Sequence, residues 1–378
     1  MRPASDRFAA LLEGPQVTYS CRAESWYSGE LLAEALPVES GTLTSTADVI
    51  DTHEVAASVP YKGEFDLSDP LNPLGAYGQR VRLFIDLTSA SGEVESVALG
   101  WSRITPSNAS NGVMELRARD LTLELERARL VTPVQLTAPV SANPATELFN
   151  PATALEYLVT GILPVAVLDT LPDLAGALYV LRDRRQGVVD ILQAVSATAS
   201  VDVSGALVIT SVPDLTDPDP VLRFTDGYGA DPTSGDRGTI VDLRPEVNDS
   251  RGFNACIVQG VTAEGAPVYG GAYVTEGPMA WPVQPDVVSA YGANPGYFFS
   301  PLLRTVAGCI AAAKSILAGW MLGANGTFTV EAAPDPRLEV NDVVELSKDR
   351  QTYLGLVQQV ALPLTATSGP MTFSGVLL

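Results

Sequence analysis

The chain carries a single histidine, His53, in the run Asp51-Thr52-His53-Glu54. A serine nucleophile needs an adjacent base, so any Ser-His-Asp site in this chain must use it. The run lies in a strand-like region, and no Gly-x-Ser-x-Gly elbow occurs in the sequence. One histidine also falls short of the His-rich ligand sets that hold catalytic metals. Cys21, Cys256 and Cys309 are odd in number and widely spaced, which implies neither a disulfide framework nor a zinc knuckle. Buried free thiols are the expectation.

Carboxylates are the other reagents available, since a glycosidase needs only two of them across a cleft. Asp214, Asp217, Asp219, Asp226, Asp231 and Asp236 crowd one stretch. They lack the D-x-[DN]-x-[DN]-G spacing of a calcium loop, and prolines interrupt them, so solvated turn acids are expected. Gly227-Tyr228-Gly229 and Tyr269-Gly270-Gly271 have no following Lys-Ser/Thr and do not read as phosphate cradles. Tyr297-Phe298-Phe299 could stack sugars or bases, or pack between domains or subunits. The reading is therefore of a non-enzyme, with no catalytic, cofactor-binding or metal-binding residue assigned.

Asp and Glu number 44 against 23 Lys and Arg, a formal net charge of -21. Tight phosphate binding needs clustered cations to replace counterions, and no such cluster is visible along the chain. A surface this acidic repels nucleic acid. At 378 residues, two or three domains are the default expectation. The first six residues carry an acid and no long apolar core, so no secretion signal is read. No apolar run reaches the roughly 18–20 residues of a membrane helix. A soluble protein made in a cytoplasm is expected, without membrane insertion.

These residues must be positioned by many short strands. Ser5 caps a predicted short helix carrying Phe8, Leu11 and Leu12, stopped by Gly14-Pro15. From Val17 to about Leu136 the pattern alternates. Residues 17–23 and 25–27 form a first hairpin closed by Ser28-Gly29, and 42–46 and 54–59 follow. The clearest hairpin joins 80–87 to 94–99 through Ser91-Gly92. Residues 114–119 and 121–126 complete the set as strands, and the count suggests a small barrel or sandwich. Residues 132–150 read as a linker. Asn150-Pro151 starts a helix that buries Leu155, Leu158, Val159 and Ile162 and ends at Pro164. A second helix spans about 186–199, and residues 201–210 make a hairpin through Ser204-Gly205.

Beyond a junction at 214–237, strands resume at 239–243 and 254–260. A helix is predicted over 303–322, with Leu303, Val306, Ile310, Ala313, Leu317 and Trp320 on its apolar face and Gly323 as its stop. Residues 327–330 form a strand, and residues 338–340 and 343–346 pair through a tight turn at Asn341-Asp342. Residues 351–360 and 371–376 close the chain as strands. The fold class is mainly β with some α (α+β). Three parts are expected: a β-barrel-like domain at 1–135, a linker plus small helix–hairpin domain at 136–215, and a β-rich domain with one helix at 216–378.

Several of these stretches resemble one family. The start Met1-Arg-Pro-Ala-Ser-Asp-Arg-Phe8 and Leu36-Pro-Val-Glu-Ser-Gly-Thr-Leu-Thr44 match it. So do residues 69–83, followed by Leu99-Gly-Trp-Ser-Arg-Ile104. Later matches are Phe253-Asn-Ala-Cys-Ile-Val-Gln-Gly260, Tyr297-Phe-Phe-Ser-Pro-Leu-Leu303 and residues 334–344. In this order they resemble tail-tip or baseplate hub proteins of tailed phages, the minor tail proteins of actinobacteriophages. Residues 44–51 depart from that pattern in being poorer in arginine.

The resemblance implies a homotrimer whose two β-barrel-like domains per chain form a ring that caps the tail tube. It implies contacts with the tail tube protein, the distal tail protein, the tape-measure protein and tip or fibre proteins. DNA would pass through the lumen without specific binding, which suits an acidic wall. The location implied is the virion tail tip, and no cofactor or catalytic residue comes with it. A related contractile injection device would reuse the same hub. The alternative from a different class is a glycan-binding or glycan-cleaving β-protein that engages a bacterial cell envelope.

Overall fold

The helix at the start forms as its cap predicts. The Ser5 hydroxyl accepts a hydrogen bond from the Phe8 amide at 3.0 Å, and α1 runs Asp6–Glu13 with Phe8 fully buried. The computed structural model describes every residue except 15–16, 62, 64–65, 67–68, 138–147, 176, 213–214, 216, 229–237, 247–251, 263, 283–290 and 323–325. Pro15, most of the expected linker, and the stop at Gly323 thus lie outside the described residues.

The architecture is mostly β with five α-helices among the described residues, an α+β chain. Thirteen strands share one sheet. Its order runs Ile240–Glu246, Thr327–Ala332, Met371–Leu377, Gln351–Pro363, Ser40–Thr46, Thr52–Pro60, Val113–Asp120, Val94–Ser110, Arg80–Thr88, Thr18–Tyr27, Glu30–Val38. Val343–Lys348 also pairs with Gln351–Pro363, and Leu222–Thr225 joins it in parallel. The two ends of the chain meet where Leu43 stands opposite Leu362, both fully inside. No pairing among the described residues closes this sheet into a barrel.

Alternation decides which face is buried. Arg80–Thr88 buries Val81, Leu83, Ile85 and Leu87 and turns Arg80, Arg82, Phe84 and Asp86 outward. The hairpin through Ser28-Gly29 forms with both turn residues at positive φ, 51° and 86°, a geometry that suits the twist of a tight hairpin. Residues 17–27 are one continuous strand from Thr18 to Tyr27, where two had been expected.

Five further expectations need correction. Leu121–Glu126 is not a strand: α2 spans Thr122–Arg127. Its alternating leucines fit a helical turn because the Asp120 carboxylate accepts the Thr122 amide at 2.7 Å, and Leu121, Leu123 and Leu125 are all buried. The helix α3, Pro151–Val159, starts on its Asn150 cap as expected but ends five residues before Pro164.

The next helix, α4, runs Arg184–Val195 from an Asp183 cap. Ser196 takes a left-handed φ of 54°, which stops it, so Ala197–Val201 becomes a strand paired with Leu207–Ser211. Residues 338–340 are not a strand either. Asn341 does adopt φ 67°, but the hairpin partner of Gln351–Pro363 is Val343–Lys348, turned through Asp349-Arg350 at φ 52° and 69°.

The fifth correction concerns α5, Val306–Leu322. Its buried residues are Cys309, Ala312, Ala313 and Leu317, whereas Val306 and Ile310 are 55% and 36% exposed. The reason is close approach to the small sheet of Pro267–Tyr273, Ala255–Val261 and Pro295–Phe299. A Cβ on Gly270 would sit 2.7 Å from the Cys309 Cβ, and one on Gly260 would clash with the Leu303 carbonyl oxygen. With no side chain on the sheet there, the helix turns its small residues inward.

The core divides into three main bodies. The first lies under the large sheet and holds residues from both ends of the chain, Leu43, Leu83, Phe328 and Phe373 among them. The second unites α3, α4 and the hairpin Ala197–Ser211 around Leu155, Ile191 and Ile209. The third is the small sheet with α5.

Candidate functional site

The lone histidine meets a serine. His53 Nε2 lies 2.9 Å from Ser102 Oγ, because Thr52–Pro60 and Val94–Ser110 flank the strand Val113–Asp120. Asp120 is also beside them, yet it does not complete a triad. One of its carboxylate oxygens accepts the His53 amide at 2.9 Å and the other accepts the Thr122 amide. Ser102 and Asp120 are each 1% exposed. Burial lowers the His53 pKa against the opposing pull of Asp120, so the imidazole is neutral at pH 7. A serine shut inside a sheet offers no place for a substrate carbonyl, and the arrangement does not support acyl transfer.

Beside His53 is a polar seam with a cavity of about 330 Å³, which Ser102 does not line. It is lined by Arg2, Asp51, His53, Asp120, Asp202 and Glu339, so five separated parts of the chain converge on it. The Arg2 guanidinium, on a residue 5% exposed, donates to the carbonyls of Pro336 and Leu338 at 2.9 and 3.1 Å. Asp51 accepts from the Asn341 side-chain amide at 2.9 Å and from the Asp48 amide at 3.1 Å. Burial pushes the Asp51 pKa up to about 7 and raises that of Asp342 as well. The Asp51 amide donates to the Ala199 carbonyl, which ties the end of a large-sheet strand to the hairpin Ala197–Ser211. The seam is a joint.

Of the clustered aspartates, Asp217 and Asp219 are exposed, while Asp214, Asp231 and Asp236 lie outside the described residues. Asp226 is occupied by main chain: its oxygens accept the Tyr228 and Asp349 amides, both at 2.9 Å, which lowers its pKa. Among the described residues no group of three or more His, Cys, Asp or Glu could hold a metal ion. Gly270 is explained by its contact with α5 rather than by a phosphate, and Gly229 lies outside the described residues. All three cysteines are buried and free, and burial raises the thiols of Cys21 and Cys256 to about 12 and 11.

Two solvent faces are assembled by strand register. The first is an arginine face on the large sheet, where register assembles residues far apart in the chain. Arg80 stands opposite Arg103 and Trp26, Arg103 opposite Arg119, and Arg22 opposite Phe84. Glu124 lies within salt-bridge reach of both Arg80 and Arg103, Asp86 bonds Arg22 at 3.0 Å, and Glu126 bonds Arg119 at 3.1 Å. Arg82 is held by rings instead, 5.1 Å from Phe84 and 5.5 Å from Trp101. The cations are largely neutralised at home, so this face is no phosphate cradle. Pairing across strands was the signal, and it cannot be read from spacing along one strand.

The second face is the outer side of the small sheet. Tyr297 and Phe299 are 76% and 57% exposed, and Tyr269 and Tyr273 are 55% and 48% exposed. Phe298 turns the other way, against α5 and its core. The aromatic run predicted for stacking or packing is thus split by the pleat, two rings out and one in.

Comparison with known proteins follows the same lines. No protein-family model matches the chain, and no curated protein matches it in sequence. Solved structures do. The tail protein of Neisseria meningitidis MC58 aligns over 96% of this chain and 97% of its own, with a TM-score of 0.62 at 15% identity. The 43 kDa tail protein of prophage MuSo2 from Shewanella oneidensis aligns over 94% and 97%, with a TM-score of 0.57 at 10% identity. The fold is that of phage tail proteins, along nearly the whole length of each chain. It agrees with the resemblance carried by the sequence motifs.

Proposed function

We propose that this chain is a structural virion protein, the tail-tip or baseplate hub of a tailed bacteriophage. The observation that carries the reading is end-to-end agreement in fold with a tail protein, 96% of one chain against 97% of the other. In this role three copies form a ring that caps the tail tube. The two halves of the large sheet serve as its barrel-like tube domains, and the helix–hairpin domain sits between them. The ring joins the tube and distal tail protein to tip or fibre proteins, next to the end of the tape-measure protein. DNA slides through a lumen whose wall repels phosphate, in keeping with the net charge of -21. A non-catalytic role is supported by Ser102 and His53, which lie together yet inside the sheet.

The test is placement. Virions carrying a tagged copy of this chain should show a gold or antibody label at the tail end in negative stain. Tails labelled elsewhere, or unlabelled, would overturn the proposal. Light scattering on the purified chain over a range of concentrations reports whether three copies assemble without neighbours.

A further inference from the structure

No further inference is drawn: the strongest candidate, the uncharged outer face of the small sheet where Tyr269, Tyr297 and Phe299 are exposed, carries none, because nothing in the structure shows what covers it.

Discussion

His53 and Ser102 are hydrogen-bonded, Nε2 to Oγ at 2.9 Å, with the serine sealed inside the large sheet. The three residue types of a hydrolase thus lie together, yet Ser102 does not line the neighbouring cavity, and Asp120 gives its carboxylate to two main-chain amides. What the cluster supplies is a satisfied polar core at the place where several segments join.

Ser102→Ala removes the hydroxyl that His53 Nε2 meets and leaves a polar nitrogen in a buried site. Such a loss costs about 1–3 kcal/mol. Urea unfolding should show a lower midpoint at unchanged slope. Esterase or peptidase turnover should be equally absent from both proteins, and a turnover lost in the variant would contradict the structural role.

Asp51 makes stability depend on pH in a defined direction. Its carboxyl titrates near 7 when folded, because burial disfavours the charge, against about 3.9 in an unfolded chain. Between those values the folded chain holds the extra proton, so unfolding free energy falls as pH rises through that window. Buried Asp342 acts in the same sense. His53 acts oppositely, since its lowered pKa makes stability fall as pH drops below about 6.5. Asp51→Asn should therefore gain on the parent by about 1–3 kcal/mol at pH 8 and little at pH 4. Denaturation curves at the two pH values decide it, and an equal gain at both would remove Asp51 as the cause.

Much of this framework was legible in the chain. Ser5 and Asn150 cap helices as their side chains suggest, and the strands of residues 80–99 alternate as their apolar residues do. Local rules failed where a distant surface decided the outcome. Leu121, Leu123 and Leu125 satisfy both a period of two and one helical turn, and the Asp120 carboxylate on the Thr122 amide, with a second core that takes Leu121 and Leu125, tips them to helix. Val306 and Ile310 looked like core because they are large, yet the glycines of a strand some forty residues earlier favour the small residues of α5. The arginine face has the same cause. Its members come from strands that only register brings together, so a chain without a run of cations still displays a row of them.

Gly270→Ala tests the contact between α5 and the small sheet. The new methyl would lie 2.5 Å from the Ile310 amide nitrogen and 2.7 Å from the Cys309 Cβ, and helix backbone cannot rotate aside. Overpacking of this kind costs about 1–3 kcal/mol. Hydrogen exchange should quicken in α5 and in Ala255–Val261 while Arg80–Thr88 keeps its protection. Uniform quickening across all three would show instead that the cores unfold as one.

Glu124 is the acid on which the arginine face depends. It stands on α2, 12% exposed at its side chain, with Arg80 at 3.4 Å and Arg103 closer still. Removing it leaves two opposed cations beside Arg82, whose Nε has no hydrogen-bond acceptor among the described residues. Glu124→Ala should cost about 1.5–3 kcal/mol, the range for hydrogen bonds to charged groups. Added salt should return part of that loss, because it screens the repulsion the variant creates and the parent lacks. Glu124→Gln separates the two contributions, since it keeps an acceptor and deletes the charge. If Gln restores most of the stability, hydrogen bonding holds α2 against the sheet. If it behaves like Ala and both recover in salt, charge neutralisation does, and the arginine row is stable only as half of an ion-pair network.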